Sequence, residues 1–308
     1  MAAPVVHPEG RDRPLFAIAL KTISMVFFAL MFAGVKWVGD EVPVGQMVFC
    51  RAFFGMLIIL IAVQATRGVK HLATSRLKTH ATRSLLGVTA MFCNFIAVTF
   101  LPLADATAVS FVAPMFTVIL AALILRESVH LYRWSAVVVG FIGVLVIIMA
   151  EGGGSGDSIV GAGFALFGAG FSAFAMIVLR RMSAHENSEA IAFYFMLTSA
   201  LVSLVTIVWG WIVPTPEQML VLVSMGFFGG IGQLFLSFSY RYGEASVLAP
   251  FDYTMMIWAV MTGYFLFGQW PTAQVMFGAL LVIGAGLLIL WRERVLGRQR
   301  AESAKSLT

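Results

Sequence analysis

The sequence predicts an all-α integral membrane protein of ten transmembrane helices arranged as two inverted five-helix repeats. Three observations predict it: a near-continuous series of apolar segments, a one-sided distribution of Lys and Arg, and an internal repeat. Of the 308 residues, 60% are apolar and only 11% charged, against about 25% charged in an ordinary soluble domain. About 20 mainly apolar residues cross a hydrocarbon core of about 30 Å. Windows of that kind fall at 15–37, 43–65, 84–102, 104–125, 133–150, 159–179, 189–212, 217–239, 245–267 and 271–291.

With the N-terminus placed in the cytoplasm, every Lys and Arg except Lys21, Lys36 and Arg51 falls in a cytoplasmic segment. These segments hold Arg11 and Arg13; Arg67, Lys70, Arg76, Lys78 and Arg83; Arg126 and Arg133; Arg180 and Arg181; Arg241; and the tail from Arg292 to Lys305. The opposite loops carry Asp40, Glu41, Glu151, Asp157 and Glu217 and no base. One missed or extra span would scatter the basic loops over both sides, so the count of ten and the orientation support each other. The expected location is the inner, or plasma, membrane with both termini cytoplasmic. The net charge of +5 resides in these short loops, which speaks against a nucleic-acid partner.

Trp37, Trp134, Trp209, Trp211, Trp270 and Trp291 fall near predicted span ends, where an indole keeps its N–H in the headgroup layer; Trp258 alone is central. Cys50 and Cys93 lie inside apolar segments, so neither a disulfide framework nor a CxxC metal site is expected within the chain. The first apolar run is too long for a signal-peptide core and is read as an uncleaved span.

A shift of 139 positions places Gly87 on Gly226, Asn94 on Gln233, Asp105 on Glu244, Ala106 on Ala245 and Thr107 on Ser246. A repeat of five spans is odd, so its second copy enters the membrane from the other side. The expected organisation is a tail at 1–14, a first repeat at 15–150, a glycine-rich linker at 151–158, a second repeat at 159–291 and a basic tail at 292–308. One unit placed in two orientations gives conformations open to either side at comparable energy, which suits alternating access around a central site.

The stretch 43–51 (PVGQMVFCR) with Ala52 and Phe53, the run 101–127 (LPLADATAVSFVAPMFTVILAALILRE), and the fifth span with Gly140 and Gly143 resemble the drug/metabolite transporter superfamily and, within it, the EamA family. The second half repeats the likeness as YGEASVLAPFDY and FGQWPTAQVMFGALLVIGAG. The resemblance covers nearly the whole chain. It departs from the family pattern at Gln269, where the first repeat has Glu127, and at a displaced ninth-span proline, Pro250, with Asp252 just after it. It implies a basket in which spans 1–4 and 6–9 surround a central cavity and spans 5 and 10 pack together at the edge. Gly140, Gly143, Gly278 and Gly284 fit close backbone approach there. Members similar to this chain export amino acids and aromatic metabolites or import riboflavin and S-adenosylmethionine.

Intramembrane ionisable residues are functional candidates because a charge at the bilayer centre costs about 2.5–3.5 kcal/mol on insertion scales. Asp252 is the one acid clearly inside a span and is the candidate for substrate cations and for a coupling proton; pairing with a neighbouring tyrosine is the structural alternative. Arg51 either holds an anionic group or locks the second helix, whereas Lys21 and Lys36 read as snorkelling from the ends of the first span. Asn94 and Gln233 occupy equivalent mid-membrane positions, where amides read a hydrogen-bonding substrate or glue helices. Phe111, Phe171, Tyr253 and Trp258 offer aromatic faces, and Pro114 and Pro250 are hinge candidates in corresponding spans.

All five histidines fall in cytoplasmic segments, and no HExxH, GxSxG or Walker motif appears. The expectation is therefore a non-enzyme with no cofactor and no metal. The expected partners are a small-molecule substrate, membrane lipids and protons as a coupling ion, with a monomer or homodimer as the assembly. A flat, weakly charged substrate such as riboflavin or an aromatic amino acid is the first expectation; other amino acids or S-adenosylmethionine-like compounds are the alternative. A non-transporting scaffold or sensor subunit is the alternative of another class.

Overall fold

The computed structural model describes residues 13–124, 131–150, 156–183 and 185–305. Most of the N-terminal tail, Arg126 and Glu127, residues 151–155 of the linker and the last three residues lie outside the described residues.

The first three spans are α1 (Pro14–Val38), α2 (Val44–Thr66) and α3 (Leu77–Phe100). Helix α1 starts on a proline whose fixed φ and missing N–H both suit the first turn. The fourth span is broken into α4 (Leu103–Ser110) and α5 (Ala113–Ile124), and α6 (Leu131–Ala150) follows. The second half comprises α7 (Gly156–Met182), α8 (Ser188–Leu204) and α9 (Pro216–Tyr242). Its own broken span runs through α10 (Ala245–Leu248), a 3-10 turn (Ala249–Tyr253) and α11 (Thr254–Phe267), before α12 (Ala273–Lys305) closes the bundle. Eight segments are long and apolar enough to cross a bilayer outright, with a shorter apolar stretch at Trp134–Ala150. The ninth crossing is made jointly by the pieces from Ala245 to Phe267, because Pro250 interrupts what would be one helix.

The break in the fourth span has the same cause. Pro114 has no N–H to donate to the Ser110 carbonyl, and the backbone tightens just before it: Phe111 and Val112 donate to the carbonyls of Ala108 and Val109, three residues back.

Helix pairing carries the inverted repeat. The α1–α9 contact has its counterpart in α3–α7, as spans 1 and 8 exchange with spans 6 and 3. Likewise α2–α9 mirrors α3–α8, and α1–α11 mirrors the packing of α4 and α5 on α7. The pairs α2–α8 and α6–α12 are their own counterparts. Helices α6 and α12 approach closely at Gly143 and Gly278, where a Cβ on either would lie 2.7 Å from the other's carbonyl oxygen. Two glycines expected at this contact do something else. Gly140 makes room for Met115 of α5, and Gly284 faces open space because it lies on the outer side of α12.

The bundle's exterior is apolar, with Leu15, Ile61, Leu131, Phe167 and Leu280 among its exposed residues. Such a surface belongs in lipid. Trp37, Trp134, Trp209 and Trp270 are exposed at or near helix ends, and Trp291 is exposed where the apolar part of α12 ends. Trp211 instead turns inward, its indole N–H donating to Thr206 Oγ1 at 3.0 Å and its ring tilted on Phe49. Lys36 donates to the carbonyls of Thr99 and Leu101 at 3.3 and 3.1 Å, tying α1 to the C-terminal end of α3.

Candidate substrate cavity

A cavity of about 250 Å³ lies between α1, α3, α4, α5, α7 and the broken ninth span, with Ile289 and Leu290 of α12 on its flank. It sits where both prolines interrupt their helices: Ser110, Phe111 and Pro114 line it from one break, and Ala249, Asp252 and Tyr253 from the other. Non-helical backbone at membrane depth is tolerated where it lines a polar space, so breaks and cavity belong together.

Asp252 is held from behind. Lys21 Nζ lies 2.6 Å from Asp252 Oδ1, donates to the Tyr240 hydroxyl at 3.2 Å and sits 4.8 Å from the centre of the Tyr240 ring. Lys21 is wholly buried whereas 37% of the Asp252 side chain is exposed. The expectation that Lys21 snorkels to the membrane surface is therefore corrected. An acid at matching depth gives its ammonium a partner inside the bundle, and there is no need to reach the headgroups.

Arg180, in the last turn of α7, lines the same cavity, and its buried Nε has no hydrogen-bond partner. Asn94 enters from α3. Gly168 of α7 makes room for it, since a Cβ there would lie 2.7 Å from Asn94 Oδ1. Ser110 and Thr117 donate to the carbonyls of Thr107 and Ala113 at 2.7 and 3.2 Å, which leaves their oxygens available as acceptors. Phe111 and Tyr253 meet edge to face, with ring centroids 5.0 Å apart, and form an aromatic wall.

Of the residues singled out in the sequence, the structure brings Asn94, Phe111, Pro114, Asp252 and Tyr253 to one cavity. Pro250 lies in the 3-10 turn beside the lining residue Ala249. Gln233 is elsewhere: it is buried on α9, its amide Nε2 without a hydrogen-bond partner. Trp258 packs against the apolar core from α11, and Phe171 on α7 is half-buried outside the cavity wall. Arg51 is buried among Met31, Met91 and Met196. Sequence reasoning missed Lys21 as a partner of Asp252 and Arg180 as a cavity residue.

At the end of the bundle that carries Arg67, Arg76 and Arg241, a second polar cluster joins the α2–α3 connection to the start of α8. Glu186 accepts from Thr74 at 2.9 Å and lies 3.2 Å from His80 Nε2 and 3.8 Å from Arg76 Nε. Glu189 lies 3.5 Å from Arg67 and 3.8 Å from His71, and Asn187 donates to the His71 carbonyl at 3.1 Å. These contacts fasten the α2–α3 connection to the start of α8, and none of the residues that make them lines the cavity.

An acid and a base thus face one small space that otherwise offers neutral hydrogen-bonding groups and an aromatic wall. Such a space can hold an ammonium and a carboxylate at once. Comparison with known proteins gives the family context. Residues 15–149 and 159–291 match the EamA-like transporter family. The chain is 29% identical over 272 residues to an S-adenosylmethionine uptake transporter of Rickettsia prowazekii, covering 88% of this chain and 91% of that protein. It is 30% identical over 268 residues to the S-adenosylmethionine uptake transporter of Rickettsia conorii, covering 87% and 90%. It is 26% identical over 270 residues to the pseudopaline exporter CntI of Pseudomonas aeruginosa, covering 87% and 93%. One solved crystal structure shares the fold with a TM-score of 0.64 at 19% identity, covering 91% of this chain and 98% of its own.

Proposed function

This chain belongs to the EamA-like transporter family, and from that premise we propose that it moves a small zwitterionic, amino-acid-like metabolite by alternating access through the cavity between α1, α3, α4, α5 and α7. It is a multi-pass membrane transporter of small molecules. The observation that carries the substrate proposal is the pairing of Asp252 and Arg180 on one cavity. The exposed part of the Asp252 carboxylate receives the substrate ammonium, and Arg180, whose Nε lacks an acceptor, receives its carboxylate. Asn94, Thr107 and Ser110 read hydrogen bonds from the middle of the substrate, and Phe111 and Tyr253 stack on its side chain.

The relatives named for S-adenosylmethionine support this reading, since that compound carries an α-amino acid head and a sulfonium cation. The Phe111–Tyr253 wall supports a second reading, a flat compound such as riboflavin, and an aromatic amino acid satisfies both. Relatives are named for uptake and for export, so direction follows the gradient. Asp252 is the coupling residue for a proton, and Pro114 and Pro250 are the hinges about which the broken spans bend. The one-sided basic loops support placement in the inner membrane with cytoplasmic termini.

The test is uptake by proteoliposomes of labelled S-adenosylmethionine, aromatic amino acids and riboflavin, with Arg180→Gln and Asp252→Asn as controls. Saturable flux of an amino-acid-type substrate that falls in both variants supports the proposal. Flux of riboflavin alone, untouched by either variant, rejects the zwitterion site.

A further inference from the structure

Two arginines are buried in the bundle outside the cavity lining, and among the described residues neither pairs with an acid. Arg51 of α2 and Arg83 of α3 are 3% and 5% exposed. They share one ring: the guanidinium carbon of Arg83 is 4.1 Å from the centre of Phe195 in α8, and that of Arg51 is 5.4 Å from it. The polar contacts of Arg51 are all to thioethers, with Nε 3.2 Å from Met31 Sδ and Nη1 2.8 and 3.9 Å from the sulfurs of Met91 and Met196. Sulfur is a weak acceptor. Nε and Nη1 of Arg83 are buried with no acceptor at all.

Among the described residues no carboxylate lies within ion-pair distance of either arginine. Of the acids at the start of α8, Glu186 is held by Thr74, His80 and Arg76, and Glu189 lies 3.5 Å from Arg67 and 3.8 Å from His71 with its buried Oε2 accepting no hydrogen bond. Cation–π contact with one ring does not replace the hydration of two guanidiniums, and like charges around one ring repel. Removing both from water without a counter-charge is among the costliest arrangements a protein can hold. A missing partner of negative charge resolves it.

We propose that Arg51 and Arg83 form an occluded binding site for a small inorganic anion of the halide class, between α2, α3 and α8. The orphaned Nε and Nη1 of Arg83 supply directed donors, and Arg51 supplies the second charge. Gly87 keeps the flank of Arg83 free of any side chain; a Cβ there would lie 3.0 Å from Arg83 Nη1 and 2.8 Å from Phe195. The orphaned nitrogens are almost wholly enclosed, so a lipid headgroup does not reach them, and a monatomic anion is the class that asks least room of the surrounding helices. The site shares no residue with the cavity lining, so it stands or falls independently of the substrate reading.

The experiment is thermal unfolding of the purified full-length protein in neutral detergent at constant ionic strength, with gluconate replaced stepwise by chloride or bromide. The expected result is a saturable rise in Tm of about 3 °C or more with halide, abolished in Arg83→Gln and reduced in Arg51→Gln. A Tm that does not distinguish halide from gluconate overturns the site, and so does an undiminished halide effect in both variants. A parallel titration with phosphatidylglycerol tests the lipid source; stabilisation by lipid and not by halide also overturns it. Should either variant fail to fold, saturable broadening of the chloride NMR line by the wild-type protein, reversed by bromide, decides the matter, and its absence rejects the proposal.

Discussion

The ammonium of Lys21 lies 2.6 Å from Asp252 Oδ1 and joins the first span to the break in the ninth. The pair is lopsided. Its cation is wholly buried and backed by Tyr240, while its anion looks into the cavity. A carboxylate held on one oxygen by a fixed base keeps its other oxygen for a ligand. In this arrangement α1, α9 and the ninth span are tied together at the residue proposed to meet the substrate.

The two halves of the pair are expected to respond differently to substitution. Asp252→Ala strands a buried ammonium, and breaking a buried pair from one side costs about 3–5 kcal/mol. The lower end applies because Asp252 is partly wet and Tyr240 still accepts. Lys21→Met removes the buried charge and leaves a carboxylate that the cavity can hydrate, so it destabilises less. The double variant Lys21→Met/Asp252→Ala recovers stability relative to Asp252→Ala alone without recovering flux. Unfolding midpoints in detergent, read beside proteoliposome uptake, check this; equal destabilisation by both single variants contradicts it.

Arg180→Lys and Arg180→Gln separate charge from geometry. Hydrogen bonds to charged groups are worth about 1.5–3 kcal/mol, so Arg180→Gln is expected to raise the substrate KM about 10- to 100-fold with little change in Tm. Arg180→Lys keeps the charge but loses the planar fork and recovers part of that loss. Substrates lacking a carboxylate are expected to be indifferent to both changes. Initial-rate uptake across substrate concentrations reads the result, and an unchanged KM in Arg180→Gln removes Arg180 from the binding site.

The course of the chain was legible because hydropathy and basic residues point the same way, and the ten spans follow from them; the prolines at 114 and 250 marked where the fourth and ninth spans break, whereas the edge pair α6 and α12 was implied by the resemblance to the family. Span boundaries were less legible, and that is where polar residues were missed. The seventh helix runs to Met182, past a predicted end at 179, which carries Arg180 from a loop into the cavity wall. The third starts at Leu77, before a predicted start at 84, which moves Arg83 from the surface into the bundle. Lys21 was hidden for another reason: a lysine eight residues into α1 reads as snorkelling until an acid at the same depth is paired with it. Gln233, Trp258 and Phe171 sit on the expected helices but off the cavity. Helices apolar nearly all round carry little information about rotation, which packing decides.

The close contact of α6 with α12 is expected to be intolerant of any side chain at Gly143. A Cβ there would lie 2.7 Å from the Gly278 carbonyl, 2.9 Å from Val282 and 3.0 Å from Leu281. Gly143→Val is therefore expected to destabilise by about 1–3 kcal/mol through overpacking. Gly284→Ala meets open space and replaces a flexible residue in a helix, so it is expected to leave the protein as stable or slightly more so. Thermal unfolding of the two variants side by side checks the contrast, and equal midpoints reject the contact as drawn.

Asn94 and Gln233 are repeat partners in different circumstances, one lining the cavity and the other buried with an amide donor unmet. An unsatisfied buried donor costs about 1–3 kcal/mol, and the inverted repeat supplies a state in which that cost is relieved. If the halves exchange conformations, α9 takes the place of α3 at the cavity, so Gln233 becomes wet as Asn94 is covered. Single cysteines at the two positions, in a background with Cys50 and Cys93 replaced by serine, report this through thiol labelling. Saturating substrate on one side is expected to change the two labelling rates in opposite directions. Rates that rise and fall together, or a cysteine at 233 that never reacts, would mean that the cavity opens and closes without exchange of the repeats.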